Sequence, residues 1–121
     1  MKLLIVDDNE TMRMLMKSLT QRISDETREC GDGSEALQLY SEFLPDWVLM
    51  DVQMSKVDGI TATRQIISAY PEAKVIIITA YDDADLRDSA RDAGAHSFLL
   101  KEQLLDIRNI FRAWRRHDLF R

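Results

Sequence analysis

The sequence Leu3-Leu4-Ile5-Val6-Asp7-Asp8 joins a short apolar run to two adjacent aspartates. A second run of the same kind, Trp47-Val48-Leu49-Met50, ends at Asp51. Short runs rich in Val, Ile and Leu are typical of strands buried on both faces of a parallel sheet. The carboxyl ends of such strands share one edge of the sheet, where open α/β folds bind ligands. We therefore expect the three acids to converge at that edge.

Short β-rich runs alternate with longer helical patterns along the whole chain, which is typical of a parallel sheet wound by crossover helices. The predicted strands cover residues 2–7, 26–30, 46–50, 74–79 and 96–100. The predicted helices cover residues 10–22, 34–43, 60–69, 83–93 and 103–117. Strand 26–30 has the weakest pattern, because it carries little apolar surface. The alternation predicts an α/β fold in one domain that covers residues 1–121.

The apolar positions of two helices predict which of their faces are buried. In the first helix the expected inward residues, at spacings of three and four, are Met12, Leu15, Met16 and Leu19. In the last helix they are Leu104, Ile107, Ile110, Phe111 and Trp114. A methionine-rich stripe can also form a binding groove, but core packing is the interpretation adopted here.

Composition limits the classes of function. A chain of 121 residues is long enough for one domain with a proper core. Its net charge of −5 argues against nucleic-acid binding by this domain, because phosphate contacts need a basic surface. No apolar stretch approaches the roughly 18 residues of a membrane span. The single cysteine, Cys30, cannot form an internal disulfide, so we expect a reducing, cytoplasmic compartment.

The three acids predict a cation site. Aspartate at a strand end often bonds nearby backbone N–H groups, which is the structural alternative. Carboxylates brought together, however, raise one another's pKa unless a cation offsets their charge. Mg²⁺ prefers carboxylate, carbonyl and water oxygens. We therefore predict a Mg²⁺ site near Asp7, Asp8 and Asp51.

Two further polar residues are expected at the same edge. The fourth predicted strand ends at Thr79, and the fifth runs into Lys101. Taken alone, these would be a strand-end hydroxyl bonded to its own backbone and a solvated lysine. Opposite a metal, a hydroxyl and an ammonium form a pocket for an oxyanion such as a phosphoryl group.

With these residues and several local motifs, the chain resembles the receiver domain of two-component response regulators over essentially its whole length. The motifs are Leu4-Ile5-Val6-Asp7-Asp8-Asn9 with Thr11-Met12-Arg13, Asp32-Gly33-Ser34-Glu35-Ala36-Leu37, Pro45-Asp46, Met50-Asp51-Val52-Gln53-Met54 with Asp58-Gly59, Ile78-Thr79-Ala80, and Gly94-Ala95 ahead of Phe98-Leu99-Leu100-Lys101. The resemblance implies a flavodoxin-like, doubly wound sheet of five parallel strands in the order 2-1-3-4-5, flanked by five helices.

The resemblance also implies a phosphorylation-dependent switch. Asp51 would accept a phosphoryl group from a sensor histidine kinase, a phosphotransfer protein or a small phosphodonor. Asp8, Asp51 and the backbone carbonyl of Gln53 would bind Mg²⁺, and Asp7 would act mainly through a bound water. The domain would catalyse only its own phosphorylation and dephosphorylation, and would not be a turnover enzyme.

Other positions take roles from the same resemblance. Lys101 would pair with a phosphoryl oxygen, while Thr79 and the N–H groups of Val52 and Ala80 would donate hydrogen bonds to the others. Phe98 occupies the switch-aromatic position, with a plain core phenylalanine as the alternative. The positions expected to tune the lifetime of the acyl phosphate are Gln53 and Tyr81.

Two residues depart from the family pattern, which has proline at both positions. They are Ser55, after Met54, and Glu102, after Lys101. A cis peptide costs about 2.5 to 4 kcal/mol when no proline follows, so we predict a trans Lys101–Glu102 bond. Neither departure removes a predicted phosphorylation residue.

The last helix carries a basic edge, and the preceding helix is acidic. A solvated face is the default interpretation of both. In receiver domains, however, the face formed by the last strand and helices is a frequent dimer or partner surface. A homodimer would pair the basic residues Arg108, Arg112, Arg115, Arg116 and Arg121 with the acids Asp83, Asp85, Asp88 and Asp92.

Two other functions remain as alternatives. A Mg²⁺-dependent aspartyl-phosphate phosphohydrolase uses similar groups on a similar sheet, but has a second acid two residues after its strand-end nucleophile. The corresponding residue after Asp7 is Asn9. The chain would otherwise be the input module of a longer DNA-binding transcription regulator. The cognate kinase and the output partner cannot be identified from the residues.

Overall fold

The protein is represented by a computed structural model that describes residues 1–54 and 56–119, with side chains up to residue 113 and none described for residues 114–119. The strands are β1 (Lys2–Val6), β2 (Glu26–Cys30), β3 (Trp47–Asp51), β4 (Val75–Thr79) and β5 (Ser97–Leu100). The α-helices are α1 (Glu10–Thr20), α2 (Gly33–Phe43), α3 (Gly59–Ala69), α4 (Ala84–Asp92) and α5 (Ile107–Leu119). The predicted α/β fold is confirmed.

The strands form one parallel sheet in the predicted order, β2-β1-β3-β4-β5. The register places the polar strand ends side by side. Val6 lies opposite Met50, so Asp7 and Asp51 follow at adjacent positions. Thr79 in turn lies opposite Leu100, the residue before Lys101. The sheet therefore assembles the predicted polar groups along its carboxyl edge.

Helices cover both faces of the sheet, which explains why β1, β3 and β4 are nearly uniform apolar runs. One face packs against α2, α3 and α4, in a core that includes Leu4, Val6, Val48, Met50, Ile77, Ala36, Ala62, Ile66 and Ala90. The other packs against α1 and α5, in a core that includes Leu3, Ile5, Leu49, Ile76, Ile78, Met16, Ile107 and Phe111. Strand β2 lies at the edge of the sheet, where its charged residues reach solvent.

The buried face of α1 differs from the predicted one at Leu15, which is 41% exposed. The face centres on Met16, with Met12 and Leu19 partly buried beside it. Thr20 is buried as well. Its hydroxyl donates to the Met16 carbonyl at 2.7 Å, so the polar group has a hydrogen-bond partner inside the core. A buried threonine moves the inward stripe around the helix and leaves Leu15 outside it.

The start of the last helix also differs from the prediction. Residues Lys101–Asp106 form a 3₁₀ helix, and α5 begins only at Ile107. The Gln103 side chain accepts a hydrogen bond from the Leu100 N–H at 2.9 Å, which favours a tight turn at this point. The described residues include no cis peptide bond, so the predicted trans Lys101–Glu102 bond is confirmed. Predictions about Ser55, Arg121 and the side chains of Trp114, Arg115 and Arg116 lie outside the described residues.

Among the helices of the described residues, none combines the length and the apolar character that crossing a membrane requires.

Candidate functional site

The three predicted acids meet at the carboxyl edge of the sheet. Oxygen atoms of Asp7, Asp8 and Asp51 all lie within 4.8 Å of one another. Asp7 is fully buried and Asp51 is 5% exposed, whereas Asp8 faces solvent. Two of the three charges therefore lie where water cannot fully solvate them.

The chain around Asp7 holds its carboxylate in place. The Asn9 N–H donates to Asp7 Oδ1 at 2.8 Å, and the Arg13 guanidinium donates to the Asp7 backbone carbonyl at 2.7 Å. The second carboxylate oxygen, Oδ2, is buried and has no hydrogen-bond partner among the described residues. A buried polar atom without a partner is costly. This oxygen is well suited to bind a cation or a metal-bound water.

The electrostatics of the cluster favour the same conclusion. Burial raises the pKa of Asp7, against the Asn9 N–H and the charge of Lys101. Burial, followed by the negative charge of Asp7, raises the pKa of Asp51 to about 6, although Lys101 opposes the shift. Both carboxylates are thus destabilised in their ionised form. The set of oxygen donors fits Mg²⁺, which would compensate the surplus negative charge.

Thr79, at the end of the adjacent strand β4, and Lys101, directly after β5, line the cleft with Asp51. Lys101 Nζ lies 3.5 Å from Asp51 Oδ1. Thr79 is 2% exposed, and its hydroxyl oxygen accepts a hydrogen bond from the Tyr81 N–H at 3.2 Å. That bond uses a lone pair of the oxygen and leaves the hydroxyl proton for donation into the cleft.

These groups line an open cleft of about 900 Å³. Its walls include all the residues predicted for metal binding and phosphoryl contacts: Asp7, Asp8, Asp51, Val52, Gln53, Thr79, Ala80, Tyr81 and Lys101. The cleft is also lined by Asp58, at the start of α3, and by Leu86 and Ser89 of α4. The structure thus brings the predicted site residues together, with one exception.

The exception is Phe98, which does not line this cleft. Its half-buried ring lies on β5, with the Arg87 guanidinium 4.6 Å from the ring centre. Phe98 borders a separate cavity of about 220 Å³ between α4 and β5. The Phe98 ring therefore lies between α4 and β5, apart from the cleft that contains Asp51.

Sequence reasoning assigned no role to two residues that organise the site. Arg13 joins the end of β1 to the end of β2, because its guanidinium also donates to Glu29 at 2.9 Å. Asp32 accepts hydrogen bonds from the segment that follows Asp51, at the N–H groups of Lys56 and Val57. Both residues belong to the motifs that carry the resemblance, and these motifs were the only sign in the sequence that Arg13 and Asp32 matter to the site. Their partners are distant in sequence and could not be read from it.

The response regulator receiver domain family has a sequence model that matches residues 3–112. The chain belongs to this family. Receiver domains are signalling modules of two-component systems that bind Mg²⁺ at an acidic pocket and interact with histidine kinases or phosphotransfer proteins. The alternative of a phosphohydrolase is not favoured. The position that would carry its second acid is Asn9, whose side chain instead caps α1 by accepting from the Met12 N–H at 3.0 Å.

Individual relatives include regulators of two kinds. The chain is 36% identical over 115 residues to the transcriptional regulatory protein LiaR of Bacillus subtilis, covering 93% of this chain and 54% of LiaR. It is 37% identical over 101 residues to the chemotaxis protein CheY of Thermotoga maritima, covering 83% of this chain and 84% of CheY. The chain therefore spans about half the length of the transcriptional relatives that it matches and most of the chemotaxis protein.

Solved structures show the same receiver domain. The receiver domain of the histidine kinase CKI1 from Arabidopsis thaliana, complexed with Mg²⁺, aligns with a TM-score of 0.82 and 27% identity. The alignment covers 93% of this chain and 90% of that one. A receiver with Mg²⁺ is thus among the structures that this chain resembles.

Proposed function

We propose that this receiver domain accepts a phosphoryl group on Asp51 in a Mg²⁺-dependent reaction and then changes the face with which it binds partners. The observation that carries the proposal is the position of the Asp51 carboxylate. It ends β3 in the cleft, close to the carboxylates of Asp7 and Asp8 on one side and 3.5 Å from Lys101 Nζ on the other. A nucleophile between acids and an ammonium suits transfer of an anionic group.

Asp8, Asp51 and the Gln53 backbone carbonyl would hold the Mg²⁺, and Asp7 would bind it mainly through a water. The buried Oδ2 atom of Asp7 supports this assignment, since it has no hydrogen-bond partner among the described residues. The ion, when bound, neutralises charge on the transferred phosphoryl group.

In the transfer, an Asp51 carboxylate oxygen attacks phosphorus and forms the new P–O bond. The bond from phosphorus to the donor, a histidine nitrogen or an acyl oxygen, breaks and its electron pair stays with the leaving group. Lys101 pairs with one phosphoryl oxygen. The Thr79 hydroxyl and the N–H groups of Val52 and Ala80 donate to the others.

Phosphorylation would act on partners through Thr79 and Phe98. Movement of Thr79 toward the phosphoryl group frees space into which the Phe98 ring turns. Because Phe98 lies beside α4, this changes the surface of α4 and β5. A sensor histidine kinase or phosphotransfer protein would be the donor, and an output domain or protein would read the altered surface.

A homodimer through the last strand and helices is the second part of this proposal. Asp88, one of the acids of α4 in this contact, lies 3.4 Å from Arg91 of the same helix, so the dimer would have to replace that ion pair with one to the second copy. Sedimentation of the phosphorylated protein at high concentration tests the dimer. A monomer under all conditions would contradict it.

The lifetime of the acyl phosphate is expected to depend on Gln53 and Tyr81, which line the cleft beside Asp51 and Thr79. We expect Gln53→Ala and Tyr81→Ala each to change the dephosphorylation rate more than the Mg²⁺ affinity, because both side chains border the path of the attacking water. Decay of phosphorylated protein, followed by mass, measures the rate. Rates equal to the parent's in both variants would refute the assignment.

The deciding experiment is intact mass after incubation with acetyl phosphate and Mg²⁺. We expect the parent protein to gain one phosphoryl group and the Asp51→Ala variant to gain none. EDTA should abolish the gain in the parent. The matched control is Asp46→Asn, which removes a carboxylate from the opposite edge of the sheet, where Asp46 accepts from the Lys2 N–H. Phosphorylation of Asp51→Ala, or of the parent in EDTA, would contradict the proposal.

A further inference from the structure

The segment between β3 and α3 carries two of the predicted site groups, the Val52 N–H and the Gln53 carbonyl. It reads Val52-Gln53-Met54-Ser55-Lys56-Val57-Asp58 and contains no proline. Val52 and Gln53 line the cleft. The Gly59 N–H donates to the Val52 carbonyl at 2.8 Å and closes the segment at its two ends.

Asp32, at the start of α2, accepts hydrogen bonds from Lys56 and Val57 in the second half of this segment. One oxygen, Oδ1, accepts from the Ser34 N–H at 2.8 Å and from the Val57 N–H at 3.2 Å. The other, Oδ2, accepts from the Lys56 N–H at 2.9 Å. Bonds to an ionised carboxylate are stronger than neutral ones. Asp32 is only 7% exposed, so water competes little for these donors.

Gly33 shows how closely α2 approaches the same segment. A Cβ atom at this position would lie 2.3 Å from the Val57 carbonyl oxygen. The contact is with backbone, which cannot rotate away as a side chain can. The first turn of α2 therefore packs directly against the backbone of Val57 in the β3–α3 segment.

We propose that Asp32 is a positioning residue for the phosphoryl-transfer site. Its carboxylate holds the β3–α3 segment so that the Gln53 carbonyl is available to Mg²⁺ and the Val52 N–H to the phosphoryl group. In this proposal Asp32 acts through the segment and is not itself a ligand of Mg²⁺ or of the phosphoryl group. This inference rests on the function proposed above, because the groups being positioned are those assigned to metal and phosphoryl binding.

Three variants separate this role from simple helix capping. Asp32→Ala removes the carboxylate that accepts from the Ser34, Lys56 and Val57 N–H groups. Asp32→Asn keeps the bonds to Oδ1 but presents an amide to the Lys56 N–H in place of Oδ2. The control is Asp83→Ala, because Asp83 caps α4 in the same way, accepting from the Asp85 N–H at 2.9 Å, and has no hydrogen bond to another element among the described residues.

The first measurement is hydrogen exchange of residues 52–58 in metal-free protein. We expect exchange at least tenfold faster than the parent's in Asp32→Ala, an intermediate increase in Asp32→Asn, and a change of less than twofold in Asp83→Ala. The Asn variant carries the test if the Ala variant does not fold. Exchange in this segment that matches the parent's in both Asp32 variants would overturn the proposal.

The second measurement is the Kd for Mg²⁺ by calorimetry, at a temperature where urea titration shows every variant to be folded. We expect at least tenfold weaker binding in Asp32→Ala and a change of less than twofold in Asp83→Ala. Faster exchange with unchanged Mg²⁺ affinity would overturn the positioning role. A parent protein that binds no Mg²⁺ would instead contradict the proposed function, and the exchange result alone would then decide whether Asp32 holds the segment.

Discussion

Asp7 and Asp51 lie in surroundings that oppose their charge. Burial raises the pKa of both, and the proximity of Asp7 adds to the shift at Asp51. Lys101, whose Nζ lies 3.5 Å from Asp51 Oδ1, lowers both pKa values. Its effect is smaller than that of burial, so both pKa values remain raised. The two carboxylates proposed for metal and phosphoryl binding should therefore destabilise the metal-free fold when they are ionised.

Replacing Asp51 by asparagine should stabilise the metal-free protein. The pKa of Asp51 is about 6 in the fold, against 3.8 for a free side chain. The folded state holds its proton more tightly, so stability falls as the pH rises from about 4 through 6 and the penalty is complete above that. We expect Asp51→Asn to raise the free energy of unfolding by about 2 to 3 kcal/mol at pH 7.5.

Urea unfolding in EDTA at pH 7.5 and pH 3.5 measures this effect. The gain should largely disappear at pH 3.5, where the parent's Asp51 is protonated in the folded state and mostly protonated in the unfolded state. Asp46→Asn serves as the control, since no such gain is expected there. Lower stability of Asp51→Asn at pH 7.5 would show that the carboxylate is stabilising and would contradict the prediction.

Mg²⁺ binding should compete with protonation of Asp51. With a pKa of about 6, Asp51 is mostly ionised at pH 7.5 and mostly protonated at pH 5. One competing proton predicts about tenfold weaker Mg²⁺ binding at pH 5 than at pH 7.5. Calorimetric titration at the two pH values measures the ratio. Equal Kd values would mean that Asp51 is not a metal ligand.

At the scale of elements, the site depends on how closely the helix ends approach the strand ends. Each of α1, α2 and α3 begins with a capping Asn or Asp: Asn9, Asp32 and Asp58. The caps satisfy N–H groups that would otherwise be unpaired in the first turn of a helix. Because these first turns surround the carboxyl edge of the sheet, local capping and the geometry of the site are coupled.

Gly59 shows the tightest of these approaches. A Cβ atom at this position would lie 1.9 Å from the Asp51 carbonyl oxygen, so α3 can begin directly against the end of β3 only with glycine. We expect Gly59→Ala to lower the free energy of unfolding by about 3 kcal/mol, because backbone must move. Gly31→Ala is the control, since its nearest neighbour is an Arg13 side-chain nitrogen at 3.4 Å. Urea unfolding of both compares them, and equal stabilities would contradict the packing argument.

At the scale of the whole molecule, the sheet gathers groups that the sequence separates. Asp7, Asp51, Thr79 and Lys101 come from the ends of four strands, and the parallel order β1-β3-β4-β5 places these ends in one row. The apolar strand residues beneath them are fully packed on both faces. A ligand that binds at this row joins the ends of separate strands, so it should stabilise the folded domain.

Mg²⁺ should therefore raise the thermal stability of the protein. A ligand that binds only the folded state at a concentration one hundred times its Kd adds about 2.7 kcal/mol. We expect calorimetric melting to show a higher Tm in Mg²⁺ than in EDTA, and Asp8→Ala to lose most of the difference, because Asp8 is one of the three acids. An equal increase in Asp8→Ala would place the bound ion elsewhere.

The sequence by itself determined the class of fold, the strand order through the family resemblance, and nine of the residues that line the cleft. It could do so because β1, β3 and β4 are buried on both faces and therefore almost entirely apolar, with the predicted site residues at their carboxyl ends. The alternation of strand and helix patterns indicates parallel strands, whose carboxyl ends lie at one edge of the sheet.

Only the tertiary structure decided what depends on contacts between distant residues. The exposed position of Leu15 follows from the burial of Thr20, and the late start of α5 at Ile107 follows a 3₁₀ turn. The pKa of Asp51 depends on burial by the assembled sheet. The bonds from Asp32 to Lys56 and Val57 cross 24 and 25 residues. Periodicity describes one element at a time, whereas these features arise where separate elements pack together.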